Sequence, residues 1–186
     1  MRHTRRRIRL ASAAALSATA LALAGTPAAS AATCGSASAT PGEVSKAAIS
    51  SATVCLLNAE RTDRGLHPLK LNRRLSRAAA GHASDMVRRE YFSHDSLSGA
   101  SFVDRIRRTG YLTGPRAWII GENLAWGSGD RSSAAAIVSA WMHSPAHRAN
   151  ILQRRFRQIG LGLVMGAPER VDGPAATYAT DFGARN

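Results

Sequence analysis

The chain reads as an α+β layered domain, and three observations carry that reading. Apolar residues recur at helical spacing through its first half, and two β-type runs close its C-terminal end. Between them no repeat, linker or low-complexity tract breaks the region into separate units. The short connection between the two closing runs favours an antiparallel pair.

Residues 1–31 are expected to lie outside that domain as a secretory signal. Arg2, Arg5, Arg6, Arg7 and Arg9 form a basic head, Leu10 to Ala24 an apolar run, and Ala29-Ser30-Ala31 a small-residue cleavage pattern. Arg9 stands where a twin-arginine signal requires an apolar residue, so general secretion is the reading. The apolar run is short for a membrane span and no second one follows, which points to export and not to anchoring. Cleavage removes five arginines and no acid from a chain of 186 residues and formal charge +13, leaving 155 residues at +8. That length suits one domain with a sizeable core.

Residues 32–40 are small and mostly polar and read as an N-terminal arm, with the folded domain at 41–186. Cys34 and Cys55 are the two cysteines, and export favours a disulfide between them. Six extended residues from Cys34 to Thr40 reach about 20 Å. Fifteen helical residues from Thr40 to Cys55 rise about 22 Å. An arm folded back along the helix therefore closes the bridge.

Thr40-Pro41-Gly42-Glu43 has the capping-box pattern, which predicts a helix over 41–64 with Val44, Ala47, Ala48, Val54 and Leu57 inward. Gly65 ends it, and His67-Pro68-Leu69 reads as a turn and extended link. A second helix is predicted over 73–90, its buried face marked by Leu75, Ala78, Ala79, His82 and Met86. A short third helix spans 101–109 and stops at Gly110. Trp118 to Trp126 reads as an apolar strand interrupted by Gly121-Glu122-Asn123. A fourth helix over 132–142 turns Ala134, Ile137, Val138 and Trp141 inward, and Ser144-Pro145 opens a further turn to about Leu152. Strands at 158–165 and 177–182 complete the order.

The chain has no His-Glu-x-x-His, Gly-x-Ser-x-Gly or phosphate-loop signature. Ser93, His94 and Asp95 are consecutive, whereas a catalytic triad converges from separate elements. Glu122 is the most informative residue, because a carboxylate in a buried strand must be paired or held protonated. Its partner is expected to be a histidine or a metal ion, or else neighbouring backbone amides. His143 and His147 are four apart, but with Ser144 as N-cap and Pro145 as first helical residue His143 falls outside the helix. His147 can then join a site that His143 does not. His82 on its apolar face reads as a core histidine, and His67 as a loop residue.

Several segments occur in one characteristic order: Tyr91-Phe92-Ser93-His94, Gly121-Glu122-Asn123-Leu124, Trp141-Met142-His143-Ser144-Pro145-Ala146-His147-Arg148-Ala149-Asn150-Ile151-Leu152, Ile159-Gly160-Leu161-Gly162 and Thr180-Asp181-Phe182-Gly183. Asn58-x-x-Arg61 and His82-Ala83-x-Asp85-Met86 precede them. From about Val44 to Gly183 this set resembles the bacterial branch of the cysteine-rich secretory, antigen 5 and pathogenesis-related 1 (CAP) superfamily, the SCP domain. The resemblance implies an α-β-α sandwich with a small antiparallel sheet between helical layers and a large central cavity. It also implies a cavity with two histidines and two acids, in which the histidines of several members bind a divalent cation such as zinc. Carried over by motif, His94 and Glu122 match directly and His147 through the Ser-Pro-x-His segment, with Asn123 and Ser144 beside them. Ser144 stands where many eukaryotic members have the second acid, which weakens any mechanism built on paired carboxylates.

The resemblance favours a non-enzymatic extracellular binding protein for a lipid, sterol-like or anionic cell-wall ligand. A metal-dependent hydrolase using His94, His147 and Glu122 is the second reading, and a wall-associated structural protein the third. Arginine pairs at 73–74, 88–89, 107–108 and 154–155 would attract anionic polymers or head groups, unless they are simply a solvated surface. An exported chain without a recognition motif is not expected to bind nucleic acid. A monomer that does not span the membrane is expected.

Overall fold

In the computed structural model, which describes residues 34–186, the first helix starts after Ser45 and not at Thr40. The expected signal segment 1–31 lies outside the described residues. Half of the predicted capping box is present, since Thr40 N donates to Glu43 Oε2 at 2.6 Å. Gly42, however, takes φ +101°, which no helix accommodates, so Thr40-Pro41-Gly42-Glu43 is a tight turn. Helix α1 is Lys46–Thr62, with the Ser45 side chain accepting from Ala48 N. Its buried face is Ile49, Ala52, Thr53, Leu56, Leu57 and Arg61, so of the expected inward set only Leu57 is fully buried. The helix is turned about its axis because a buried arginine anchors its last turn.

The expected bridge joins Cys34 to Cys55 with their Cα atoms 5.8 Å apart. It holds the arm against the helical layer, where Ala37 is buried and accepts from Ala135 N at 2.8 Å.

Strand β1 is Lys70–Leu71, directly after the expected link, and it pairs parallel with the third strand. Helix α2, Arg73–Arg88, buries Leu75, Ala78, Ala79, His82, Ala83 and Met86, the predicted face complete. Helix α3, Phe102–Arg108, carries a capping box between Ser101 and Asp104. Strand β2, Trp118–Ser128, runs through Gly121-Glu122-Asn123 without interruption, because every residue finds a register partner on the last strand. Helix α4 is Ala134–His143 and helix α5 is Pro145–Ile151. Strands β3, Gln158–Met165, and β4, Ala175–Arg185, pair antiparallel as expected. The sheet order is β1-β3-β4-β2, so the short parallel β1 makes an otherwise antiparallel sheet mixed.

Alternation along the strands sorts the two layers. Ile159, Leu163, Tyr178 and Phe182 face α1, α4 and α5, where Trp141 and Phe156 fill the core. Trp141 also donates from Nε1 to Leu124 O at 3.0 Å, tying α4 to β2. Leu124 and Ala179 face the opposite way, toward Ala79, Ala83 and Met86 of α2. On that side Gly160 and Gly162 let α2 lie directly on β3. A β-carbon at either would collide with the helix backbone, at Leu75-Ser76 and Ala79-Ala80 respectively. The α-β-α layering implied by the resemblance is thus present, with β2 as a sheet edge between the layers.

Candidate functional site

The site is built on that edge strand. Glu122 in β2 points to the α2–α3 side, and its side chain is 1% exposed. A bare carboxylate there would be costly, and two partners remove the cost. His94 donates from Nδ1 to Oε1 at 2.8 Å, and Arg105 from Nη2 to Oε2 at 2.7 Å. The expectation that a histidine pairs with Glu122 holds. Arg105 was not anticipated, because an arginine in a run of basic residues reads as solvated surface.

The loop carrying His94 is held from below by α2. His82 Nε2 lies 2.8 Å from Ser93 O, so the proton is on Nε2 and is donated to that carbonyl. Asp85 accepts from the Tyr91 hydroxyl at 2.7 Å. The His82-x-x-Asp85 motif therefore fixes the Tyr91–His94 segment, and His82 is the core histidine expected. Burial, with Arg105 nearby, pushes its pKa down and keeps it neutral.

A second buried acid is present that sequence reasoning did not single out. Asp181 of β4 is the direct register partner of Glu122 and is 1% exposed. As a carboxylate it would find no donor for either oxygen, whereas as a neutral acid it hydrogen-bonds to Glu122. Burial first, and the Glu122 charge second, raise its pKa well above the usual range and favour its protonated form. Its signal was available: an aspartate inside the apolar run Ala175 to Phe182 invites the same question as Glu122.

From the other layer, α5 brings His147 to the same edge. Ser144 precedes Pro145 as expected, but its hydroxyl does not cap the helix; it shares a 2.8 Å hydrogen bond with His147 Nδ1. Asn123 is fully buried and donates to His147 O at 3.0 Å, while its Oδ1 accepts from Asn150 at 2.9 Å. Asn150 also donates to Glu122 O at 3.1 Å. Asn123 thus stands behind the site and locks α5 to β2. His143 points away, bonded through Nδ1 to Ser139 O, and is exposed.

The two imidazoles differ electrically. The hydrogen bond to Glu122 raises the pKa of His94. Burial, and then the charge of His94, lower that of His147. His94 is 54% exposed, so the site has a buried acidic floor and an open rim. Both rings spend Nδ1 on an internal partner, which leaves each Nε2 for a ligand. Among the described residues no three His, Cys, Asp or Glu side chains are gathered to hold a metal ion. Glu122, with both oxygens engaged, serves as the carboxylate that orients a histidine.

Comparison with known proteins agrees with the fold. The protein YkwD of Bacillus subtilis (strain 168), described as uncharacterized, is 38% identical over 122 residues, 64% of this chain and 44% of its own length. An extracellular SCP-domain protein from Bacillus anthracis str. Ames superposes with TM-score 0.56 at 26% identity, over 75% of this chain and 43% of that one. This chain therefore spans less than half the length of either relative. An outer surface protein from Borrelia burgdorferi shares the fold at TM-score 0.63 and 20% identity, over 77% and 97% of the two chains. Among the described residues no helix is long and apolar enough to cross a membrane. The profile of the cysteine-rich secretory protein family matches residues 54–179, so the chain belongs to the CAP family.

Proposed function

We propose that this CAP-domain protein is secreted and acts as a monomeric, non-enzymatic extracellular binding protein for a lipid, sterol-like or anionic cell-wall ligand. The observation that supports it most is the state of Glu122. Both its oxygens are committed, one to His94 and one to Arg105, so it is not poised to take a proton from water or substrate. What it does instead is hold an imidazole at an open rim with Nε2 outward, an arrangement that suits recognition.

Co-sedimentation with purified bacterial cell walls, with chromatography of the supernatant, tests this. Saturable retention without released fragments is expected. Soluble fragments that disappear with a chelator or with Glu122→Gln would replace the binding reading with hydrolysis.

The metal-dependent hydrolase is retained as a second reading because both histidines keep Nε2 free while Nδ1 is tethered. His94 and His147 would hold a divalent cation such as zinc, which when bound would polarise a water or carbonyl oxygen. Glu122 and Ser144 would orient the two rings, and Arg105 would hold the Glu122 carboxylate in place. Calorimetric titration with zinc should give one equivalent bound, lost in a His94→Ala/His147→Ala variant; no uptake by the wild type removes this reading.

A further inference from the structure

On the far side of Arg105 from Glu122 lies a groove of about 350 Å³ between α2, α3 and the loop that joins them. Arg77, Arg88, Arg89, Arg105 and Arg108 line it, with Asp85 as the one lining carboxylate. Asp85 is already engaged by Arg88 at 2.7 Å, Arg89 at 4.0 Å and the Tyr91 hydroxyl. No lining carboxylate answers Arg77 or Arg108. Arg77 instead donates to the neutral Thr109 carbonyl at 3.1 Å.

One lining side chain is buried with a donor unsatisfied: Arg105, 9% exposed, has no partner for Nε. Native interiors leave few such atoms, and a guanidinium N–H without an acceptor is the kind a bound anion would satisfy.

We propose that this groove is a binding site for a phosphate-bearing anion, held by the guanidinium groups of Arg77, Arg105 and Arg108. Guanidinium forks match phosphate oxygens in pairs, and an excess of cations this large calls for a ligand with more than one negative charge in a small volume. Arg77 and Arg88 are eleven residues apart on one helix, about 16 Å, so a ligand with more than one phosphate can be followed along the groove. Phe92, 47% exposed, and Leu97, 56% exposed, belong to the loop at its rim, so the phosphate can come from a soluble anion or from a lipid head group. The site rests on the binding reading above for its purpose, but uses none of the Nε2 atoms of His94 and His147.

The test is calorimetric titration of the protein with pyrophosphate at low salt, beside sedimentation with phosphatidylglycerol vesicles. Arg77→Gln/Arg108→Gln and Arg88→Gln/Arg89→Gln remove exposed groove charges. Lys46→Gln/Arg170→Gln removes two exposed charges elsewhere, and circular dichroism verifies that all three fold. Saturable pyrophosphate binding, about tenfold weaker in the groove variants and nearly unchanged in the control, is the expected result. Vesicle binding with the same dependence, without pyrophosphate binding, assigns the phosphate to a lipid. Equal loss in the control reduces the effect to net charge and overturns the proposal, as does absence of binding in both arms. Loss only in His94→Ala/His147→Ala moves the anion to the imidazole site, and the groove proposal falls while the binding reading stands.

Discussion

Two buried arginines divide this molecule into a part that only holds and a part that can respond. Arg61, at the end of α1, is fully buried and meets no carboxylate. Its guanidinium donates to the carbonyls of His67 at 2.9 Å, Ile151 at 2.7 Å, Gln153 at 3.1 Å and Phe156 at 3.2 Å. It thereby ties α1, the link to β1 and the α5–β3 connection into one knot. Arg105 is buried almost as deeply, yet it joins Glu122, the Ala100 carbonyl and the Ser96 hydroxyl and leaves Nε unused. One arginine is satisfied by fixed backbone dipoles. The other belongs to a chain of charges that reaches an exposed imidazole. Depth of burial is similar, so the identity of the acceptors separates scaffold from site.

The largest expected effect comes from breaking the scaffold. Arg61→Met leaves four carbonyls without their donor, those of Ile151 and Phe156 in buried bonds. Urea denaturation should show a loss of about 3–5 kcal/mol, at about 1–3 kcal/mol for each buried acceptor left unsatisfied. The titration order of His94 and His147 should survive wherever the variant remains folded. A loss below about 1 kcal/mol would mean that water replaces the guanidinium and that the knot is not structural.

Next in size is the coupling within the site. Arg105→Met and Glu122→Gln should each destabilise, but the double variant should cost less than their sum. A coupling energy of about 1–3 kcal/mol is expected from a double-mutant cycle in urea. Arg61→Met combined with Glu122→Gln, which share no partner, should add to within about 0.5 kcal/mol. If both cycles gave the same coupling, the division into two regions would be wrong.

Much of this was legible in the sequence, and the gaps have physical causes. The faces of α2 and α4 were readable because Leu75, Ala78, Ala79 and Met86, and Ile137, Val138 and Trp141, obey helical spacing. The face of α1 was not, because its anchor is an arginine satisfied by carbonyls far along the chain, and hydropathy counts arginine as surface. Glu122 declared itself by standing in an apolar strand, and the same logic would have flagged Asp181. Their pairing is a matter of register between β2 and β4, which local pattern does not specify. Arg105 was hidden among Arg107 and Arg108, although it is buried and they are exposed. The edge strand bridging two helical layers, which brings His94 and His147 together, is a property of topology alone.

Asp181 offers a smaller and pH-dependent test. Its folded pKa is raised, so from about pH 4, where a free aspartate ionises, the folded state keeps a proton that the unfolded state has released. Wild-type stability therefore falls as pH rises through that window. Asp181→Asn removes the effect and should be the more stable protein at pH 7, by about 1 kcal/mol or more, with the gap closing toward pH 4. Thermal melting across that range decides it. A gap independent of pH would mean that Asp181 is ionised in the fold and that the Glu122 site carries two negative charges.

The finest distinction lies between the two imidazoles, and it connects Arg105 back to the open rim. The hydrogen bond to Glu122 places the folded pKa of His94 above 6.5. It therefore adds stability that is complete below that value and is lost as pH rises through the folded pKa. His147 is shifted the opposite way, by burial and by the charge of His94, so it subtracts stability as pH falls through 6.5. With His94 half in solvent, either contribution should stay under about 1 kcal/mol, too small for denaturation and well suited to ring-proton NMR. His94 should titrate above His147. Glu122→Gln should lower the His94 midpoint, and His147 should drift upward as its neighbour loses charge. Arg105→Met removes a neighbouring positive charge and should raise the His94 midpoint further with the order kept. A lower His94 midpoint would mean that Arg105 is needed to hold the carboxylate against His94. A reversed order in the wild type would mean that Glu122 does not hold His94 in solution, and the site would lose the feature that separates it from the Arg61 knot.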